Sequence, residues 1–156
     1  MNLINLLTIK LKKTRPTFDT SSYYEIISEI RMIEDENDDL KYHPKRNNEE
    51  FKNFIASNIL KRIKKISLLY ENFLIIFNNL KNDLKNETNK TKRKQLQQDF
   101  THAKSMYKFL RFEFEFIFAY LKSGLKRLSP EKRNEIVKSM IQAFNLEGKK
   151  YNNYLM

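Results

Sequence analysis

The chain contains no cysteine, only two glycines and three prolines, and only two histidines. Without cysteine it has neither a disulfide framework nor a thiolate metal site, and nothing in its redox chemistry marks an oxidising compartment. The scarcity of Gly and Pro removes the punctuation that a sheet of many short strands would need, so composition points to an all-α fold. Long apolar runs are missing too. The opening "MNLINLLTIKLKK" is short and interrupted, and its basic residues follow the apolar ones rather than precede them. It therefore reads neither as a membrane span nor as an export signal, and the expectation is a cytoplasmic protein. Signatures of helix-turn-helix, zinc-finger and RNA-binding aromatic modules are absent, as is a glycine-rich phosphate loop.

What is present is charge, amide and bulk. Thirty Lys and Arg face 19 Asp and Glu, a formal net charge of +11 in 156 residues. That balance attracts something acidic: nucleic acid, an anionic membrane surface or an acidic protein. The length suits one domain with a core of its own. We expect a single helical domain over residues 1–148, a bundle of about five helices around one long central helix, and a frayed tail over 149–156.

The pattern of apolar residues sets out the helices. "LINLLTIKLKK" is a short apolar-then-basic segment closed by "TRP". A helix opens at "SYYE", where Ser22 and Glu25 have capping-box spacing, and continues through Ile26, Ile27, Ile30 and Ile33. "EDENDDLKYHPKRNN" reads as a charged loop. The central helix begins at Asn47 or Asn48 and carries Phe51, Ile55, Ile59, Ile63, Ile66, Tyr70, Phe73, Phe77, Leu80 and Leu84 on one stripe. Residues 85–99, without such a stripe, are expected to be a break or a solvated helix-to-helix connection. Gly124 reads as a C-cap. Ser129, Pro130 and Glu131 start a last helix, which Gly148 ends.

Residues 107–124, "YKFLRFEFEFIFAYLKSG", pose a sharper question, because Phe112, Phe114, Phe116 and Phe118 alternate like strand residues with Glu113 and Glu115 between them. Alternation fails at "IFAYL", whereas a helical wheel accounts for every apolar residue. Tyr107, Leu110, Phe114, Ile117, Phe118, Leu121 and Leu125 fall on one side, and Phe109, Phe112, Phe116 and Tyr120 on the other. The segment is therefore expected to be helical, with Glu113 and Glu115 about 200° apart and unable to serve one substrate as acid and base. The second aromatic side needs cover from this chain or another, which makes Phe109, Phe112, Phe116 and Tyr120 candidate interface residues.

Other motifs are weaker. "DENDD" places Asp35, Asn37 and Asp39 like the first calcium-loop ligands, but Leu40 stands where Gly is needed and Arg46 where Glu is needed. A solvated acidic loop is the expectation. Neither His43 nor His102 has a His, Asp or Glu four residues on, so no metal and no cofactor is expected. The sequons at Asn86 and Asn89 matter only in a secreted protein. Lys61, Lys64 and Lys65 should form a basic outer face on the central helix, and Lys90, Lys92, Arg93 and Lys94 a second cluster, with Lys12, Lys13 and Arg15 a third. They are candidate contacts to phosphates or an acidic partner, and the plain alternative is a solvated lysine-rich surface.

The order of these features resembles the helical domain of archaeal GINS subunits, over roughly residues 3–144. It comprises a short leading segment, "LKKTRP", an aromatic pair opening a helix, a long middle helix, "MYKFLRFEFEFIFAYLKSG", and then "LKRLSPEKRNEIVKSMIQAF". The resemblance implies a non-enzymatic scaffold of the replication fork, assembled as a homo- or hetero-oligomer. It also implies an MCM helicase and a RecJ-like protein as partners, proximity to DNA, and neither a membrane nor a small-molecule substrate. GINS subunits usually carry a small β-rich second domain, and here only "KKYNNYLM" follows Gly148. The alternative expectation is a basic helical module that binds nucleic acid through phosphate contacts.

Overall fold

A computed structural model describes residues 16–151, in which five helices and no strand occur. They are α1 (Ser21–Tyr42), α2 (Glu49–Asn86), α3 (Lys90–Leu125), α4 (Pro130–Ala143) and a single turn, α5 (Gly148–Tyr151). The fold is an all-α bundle, as composition and periodicity predict. The leading apolar segment and the basic residues Lys12, Lys13 and Arg15 lie outside the described residues.

Two long helices form the frame. α2 has 38 residues and α3 has 36, each roughly 55 Å at 1.5 Å per residue. They fold back on one another through residues 87–89: Phe77 stacks on Phe100 at 5.5 Å and on Tyr107 at 5.3 Å, while Tyr70 meets Phe114 edge-on at 4.9 Å. Both starts are capped as helix chemistry requires, the Asn48 side chain accepting from the Phe51 N–H and Asn89 from the Lys92 N–H. The stripe expected on α2 is the one it buries: Ile55, Ile59, Ile63, Ile66, Tyr70 and Phe73 are 0–2 % exposed. Each such side chain contributes about 1.5–3 kcal/mol by leaving water.

Residues 90–99 do not break the frame; they are the first turns of α3. Most side chains there are exposed, and Phe100 meets α2 by stacking on Phe77. The run from Lys90 to Gln98 holds no Gly, Pro or β-branched residue except Thr91, so intrinsic propensity sustains the helix. Buried Asp99 accepts from both the Thr17 N–H and its hydroxyl, tying the chain before α1 to α3.

α1 packs against α2 and α3, antiparallel to the first and parallel to the second. It runs through "EDENDDLK", so the expected acidic loop is helix. The stripe of Ile26, Ile30 and Ile33 continues to Leu40, with Asn37 fully buried between them. The carboxylates are tolerated because neighbours supply countercharge: Glu29 meets Arg62 and Lys65, each at 3.0 Å, and Glu36 lies 3.5 Å from Arg62. Ser22 does not cap α1. Its hydroxyl is buried and accepts from Asn72 at 2.5 Å, while Asp19 receives the Ser21 N–H instead.

α4 packs on α2 and begins as the sequence indicates: Pro130 is at the first position and the Ser129 hydroxyl accepts from the Lys132 N–H. Its end differs. Asn145, at φ 51°, makes the left-handed turn, and Gly148 starts α5. Gly124 is likewise no cap but lies within α3, against Asn37 of α1. Of the tail expected to fray, residues 149–151 are helical, with Tyr151 buried and its ring 4.2 Å from Phe118, and residues 152–156 lie outside the described residues.

Candidate interaction surface

The helical wheel of α3 is realised on both sides. Leu110, Phe114, Ile117, Phe118 and Leu121 are 0–1 % exposed, whereas Phe109 is 40 %, Phe112 63 % and Phe116 46 % exposed, and Tyr120 is half-buried. The outer rings form an ordered row. Phe112 and Phe116 stack at 6.4 Å and 17°, and Phe116 and Tyr120 at 5.9 Å and 25°. Residues spaced by four on a helix lie one above the other, which turns three aromatic side chains into one apolar strip over two turns.

α1 fixes one edge of this strip. Arg31 donates to both oxygens of buried Glu113, each at 3.0 Å, and to Glu34 at 2.6 Å. Those bonds hold the Arg31 guanidinium above its ordinary value, the Glu113 bond having the larger effect. Two turns on, the Tyr120 hydroxyl donates to Asp38 at 2.7 Å, and this bond, with some desolvation, pushes the phenol up to about 12. At the strip's N-terminal end Tyr23 lies 6.4 Å from Phe109. There a groove of about 470 Å³ opens, lined by Tyr23, Tyr24, His102, Met106 and Phe109 among others. Burial raises the Tyr23 phenol.

The opposite edge is held by Arg111, which donates to the Phe144 and Asn145 carbonyls and to the Tyr70 hydroxyl, closing the turn after α4. Exposed Glu115 lies on this side, 3.5 Å from Lys150. Glu113 and Glu115 are thus engaged on opposite flanks of α3, as helical geometry requires. Among the described residues no three His, Cys, Asp or Glu gather as a metal site. His43 stacks on Phe51 and its Nδ1 accepts from the Lys45 N–H.

The candidate cations divide. Lys61 and Lys64 are exposed on the outer face of α2, but Lys65 faces Glu29. Lys90, Lys92 and Lys94 are exposed around the first turn of α3, whereas Arg93 donates to the Leu84 and Glu87 carbonyls and closes the end of α2. The two groups do not meet: residues 65 and 86 alone are separated by roughly 30 Å of helix. Sequence reasoning missed Tyr24, 61 % exposed, which extends the aromatic surface onto α1. Its signal was the pair "YY", of which only one ring can turn inward.

No helix among the described residues is long and apolar enough to cross a membrane. Comparisons with protein-family models, with curated proteins and with solved structures found no match.

Proposed function

We propose that the chain is a non-enzymatic assembly module whose contact surface is the outer face of α3. The observation that carries this reading is the stacked row of Phe112, Phe116 and Tyr120, two of them well exposed. Single exposed hydrophobics are ordinary, and Phe54, Leu68 and Ile75 on α2 are such cases. A contiguous aromatic strip on a rigid helix has the composition of an interface centre, where aromatic anchors contribute most. The finer reading is a GINS-like subunit of the replication fork that joins an MCM helicase to a RecJ-like partner. It rests on the order of features across residues 3–144.

Affinity capture with the full chain as bait tests both levels. Phe112→Glu and Phe116→Glu should keep the helical circular dichroism and lose the captured protein, and an MCM helicase among the proteins lost supports the finer reading. Unfolding of both variants would make that face part of the core and defeat the proposal. The alternative, nucleic-acid binding, is favoured by the exposure of Lys90, Lys92 and Lys94. It requires an affinity that falls steeply with salt and a slope that flattens when those lysines are reversed.

A further inference from the structure

We infer that the first half of α3, with the start of α1, holds a single-stranded nucleic acid, its phosphates along a line of lysines and its bases in the aromatic groove beside them; this rests on the nucleic-acid reading above and not on the assembly reading. On a helical wheel at 100° per residue Lys90, Lys94, Lys104 and Lys108 fall within an arc of about 80°, and from first to last they span about 27 Å. All four are exposed, and Gln97 and Thr101, which lie between them on that arc, are uncharged. Among the described residues no carboxylate pairs with any of the four. The carboxylates of α3 itself are engaged elsewhere, Asp99 by Thr17, Glu113 by Arg31 and Glu115 by Lys150. The line is therefore a positive track without internal neutralisation.

Next around the helix, Ser105, Phe109 and His102 form one wall of the groove of about 470 Å³, and Tyr23 and Tyr24 of α1 form the other. That volume falls in the range of about 300–1,000 Å³ typical of small-molecule sites. Tyr23 stands 5.1 Å from Tyr24, edge-on, and 6.4 Å from Phe109, and both Tyr24 and Phe109 keep exposed ring surface. Among the described residues no carboxylate lines the groove. Asp19 receives the Ser21 N–H, and Glu25 shares the α2-facing side of α1 with Glu29, four residues on. Rings for stacking beside a cationic track are the two parts of a surface that takes single strands of any sequence, because every base has a π-face. A duplex would keep its bases out of the groove. An acidic protein segment would meet the lysines and leave the rings uncovered. A bilayer would set the Thr101 and Ser105 hydroxyls and the His102 imidazole against hydrocarbon, without partners.

Fluorescence anisotropy of the full chain with a labelled oligothymidine of about ten nucleotides tests this. Four phosphate contacts make log K fall against log salt with a slope of about −3, so raising salt from about 0.05 to about 0.2 M should weaken binding roughly fiftyfold. Lys104→Gln with Lys108→Gln should reduce that slope to roughly half. An abasic strand of the same length should bind the wild-type chain about tenfold more weakly, and oligothymidine should bind Tyr24→Ala and Phe109→Ala more weakly by a similar factor, with circular dichroism unchanged. Phe116→Ala, two turns beyond the groove, should match the wild type. An abasic strand that binds the wild type as tightly as oligothymidine does overturns the base groove and leaves the phosphate contacts standing, and this result depends on no variant. A duplex of equal length bound more tightly than the single strand also overturns the proposal, as do phosphatidylserine vesicles that capture the chain without competition from oligothymidine. If no strand binds at about 0.05 M salt, where exposed charges are weakly screened, the proposal and the nucleic-acid reading fail together, and the assembly reading stands or falls by its own capture experiment.

Discussion

Gly124→Ala should destabilise the fold, and the same substitution should stabilise it once Asn37 is alanine. Alanine is better than glycine in a helix interior by about 1 kcal/mol. A Cβ at position 124, however, would overlap Asn37 Oδ1, lie 2.9 Å from its Cγ and 3.4 Å from its backbone oxygen. Ordinary carbon contacts are about 3.5–4.0 Å, so the buried amide must move. Asn37 is 0 % exposed, and its Nδ2 reaches the Tyr120 carbonyl at 3.4 Å. Overpacking of this kind costs about 1–3 kcal/mol, which offsets the helix gain and leaves a net loss of up to about 2 kcal/mol. With Asn37→Ala the obstruction is gone and the intrinsic gain of up to about 1 kcal/mol remains. The readout is urea unfolding followed by circular dichroism for the four members of the cycle, with the m-value unchanged. A Gly124→Ala cost that is equal in both backgrounds, or a gain in the wild-type background, would refute the close approach of α1 to α3. The same approach holds Asp38 against Tyr120 one turn earlier, so the variant should also loosen the edge of the aromatic strip that α1 holds.

Glu113→Gln should cost about 1.5–3 kcal/mol, because Arg31 loses a charge-assisted pair at a buried site; Glu115→Gln should stay within about 0.5 kcal/mol at its exposed position, and equal costs in urea unfolding would contradict the two-sided wheel. Phe114→Ala should lose about 3–5 kcal/mol from the core, whereas Phe112→Ala, mostly exposed, should lose less than about 1 kcal/mol. The Tyr120 phenol has a folded value raised above 10 to about 12 by its bond to Asp38. The stability from that bond is therefore complete below about pH 10 and is lost as pH rises through about 12. Phenolate absorbance should show this last ionisation in the wild type; it should be missing in Tyr120→Phe and shift down in Asp38→Asn.

Legibility followed what each residue packs against. The apolar stripe of α2 could be read from sequence because α2 touches α1, α3 and α4 and buries one continuous face. The buried side of α3 between 107 and 125 could be read for the same reason, and its exposed aromatic side from the helical wheel alone. The second half of α1 could not, because its core positions include Glu29, Glu36 and Asn37, whose burial depends on Arg62, Lys65 and Gly124 from elsewhere in the chain. A polar residue at a core position looks like solvent until its partner is known. Two signals were nonetheless available there: Leu40 keeps the helical interval from Ile33, and no Gly or Pro stands between Pro16 and Pro44. Of the candidate cations, exposure of Lys61, Lys64, Lys90, Lys92 and Lys94 follows from the wheel. The engagement of Lys65 with Glu29 and of Arg93 with the end of α2 is tertiary.

The uncovered strip follows from unequal helix lengths. α2 and α3 are each roughly 55 Å long, whereas α1, with 22 residues, spans about 33 Å and α4, with 14, about 21 Å. α1 packs on both of the long pair, and α4 packs on α2, so α2 has three helical neighbours. α3 has α2 and α1, and smaller contacts with Thr17, with Arg133 of α4, with Phe144 in the turn after α4 and with Tyr151 of α5. A helix with neighbours on one arc needs one apolar stripe. α3 carries two, and the second is aromatic and stacked. Folding of the described residues buries the first stripe and leaves Phe109, Phe112 and Phe116 of the second exposed.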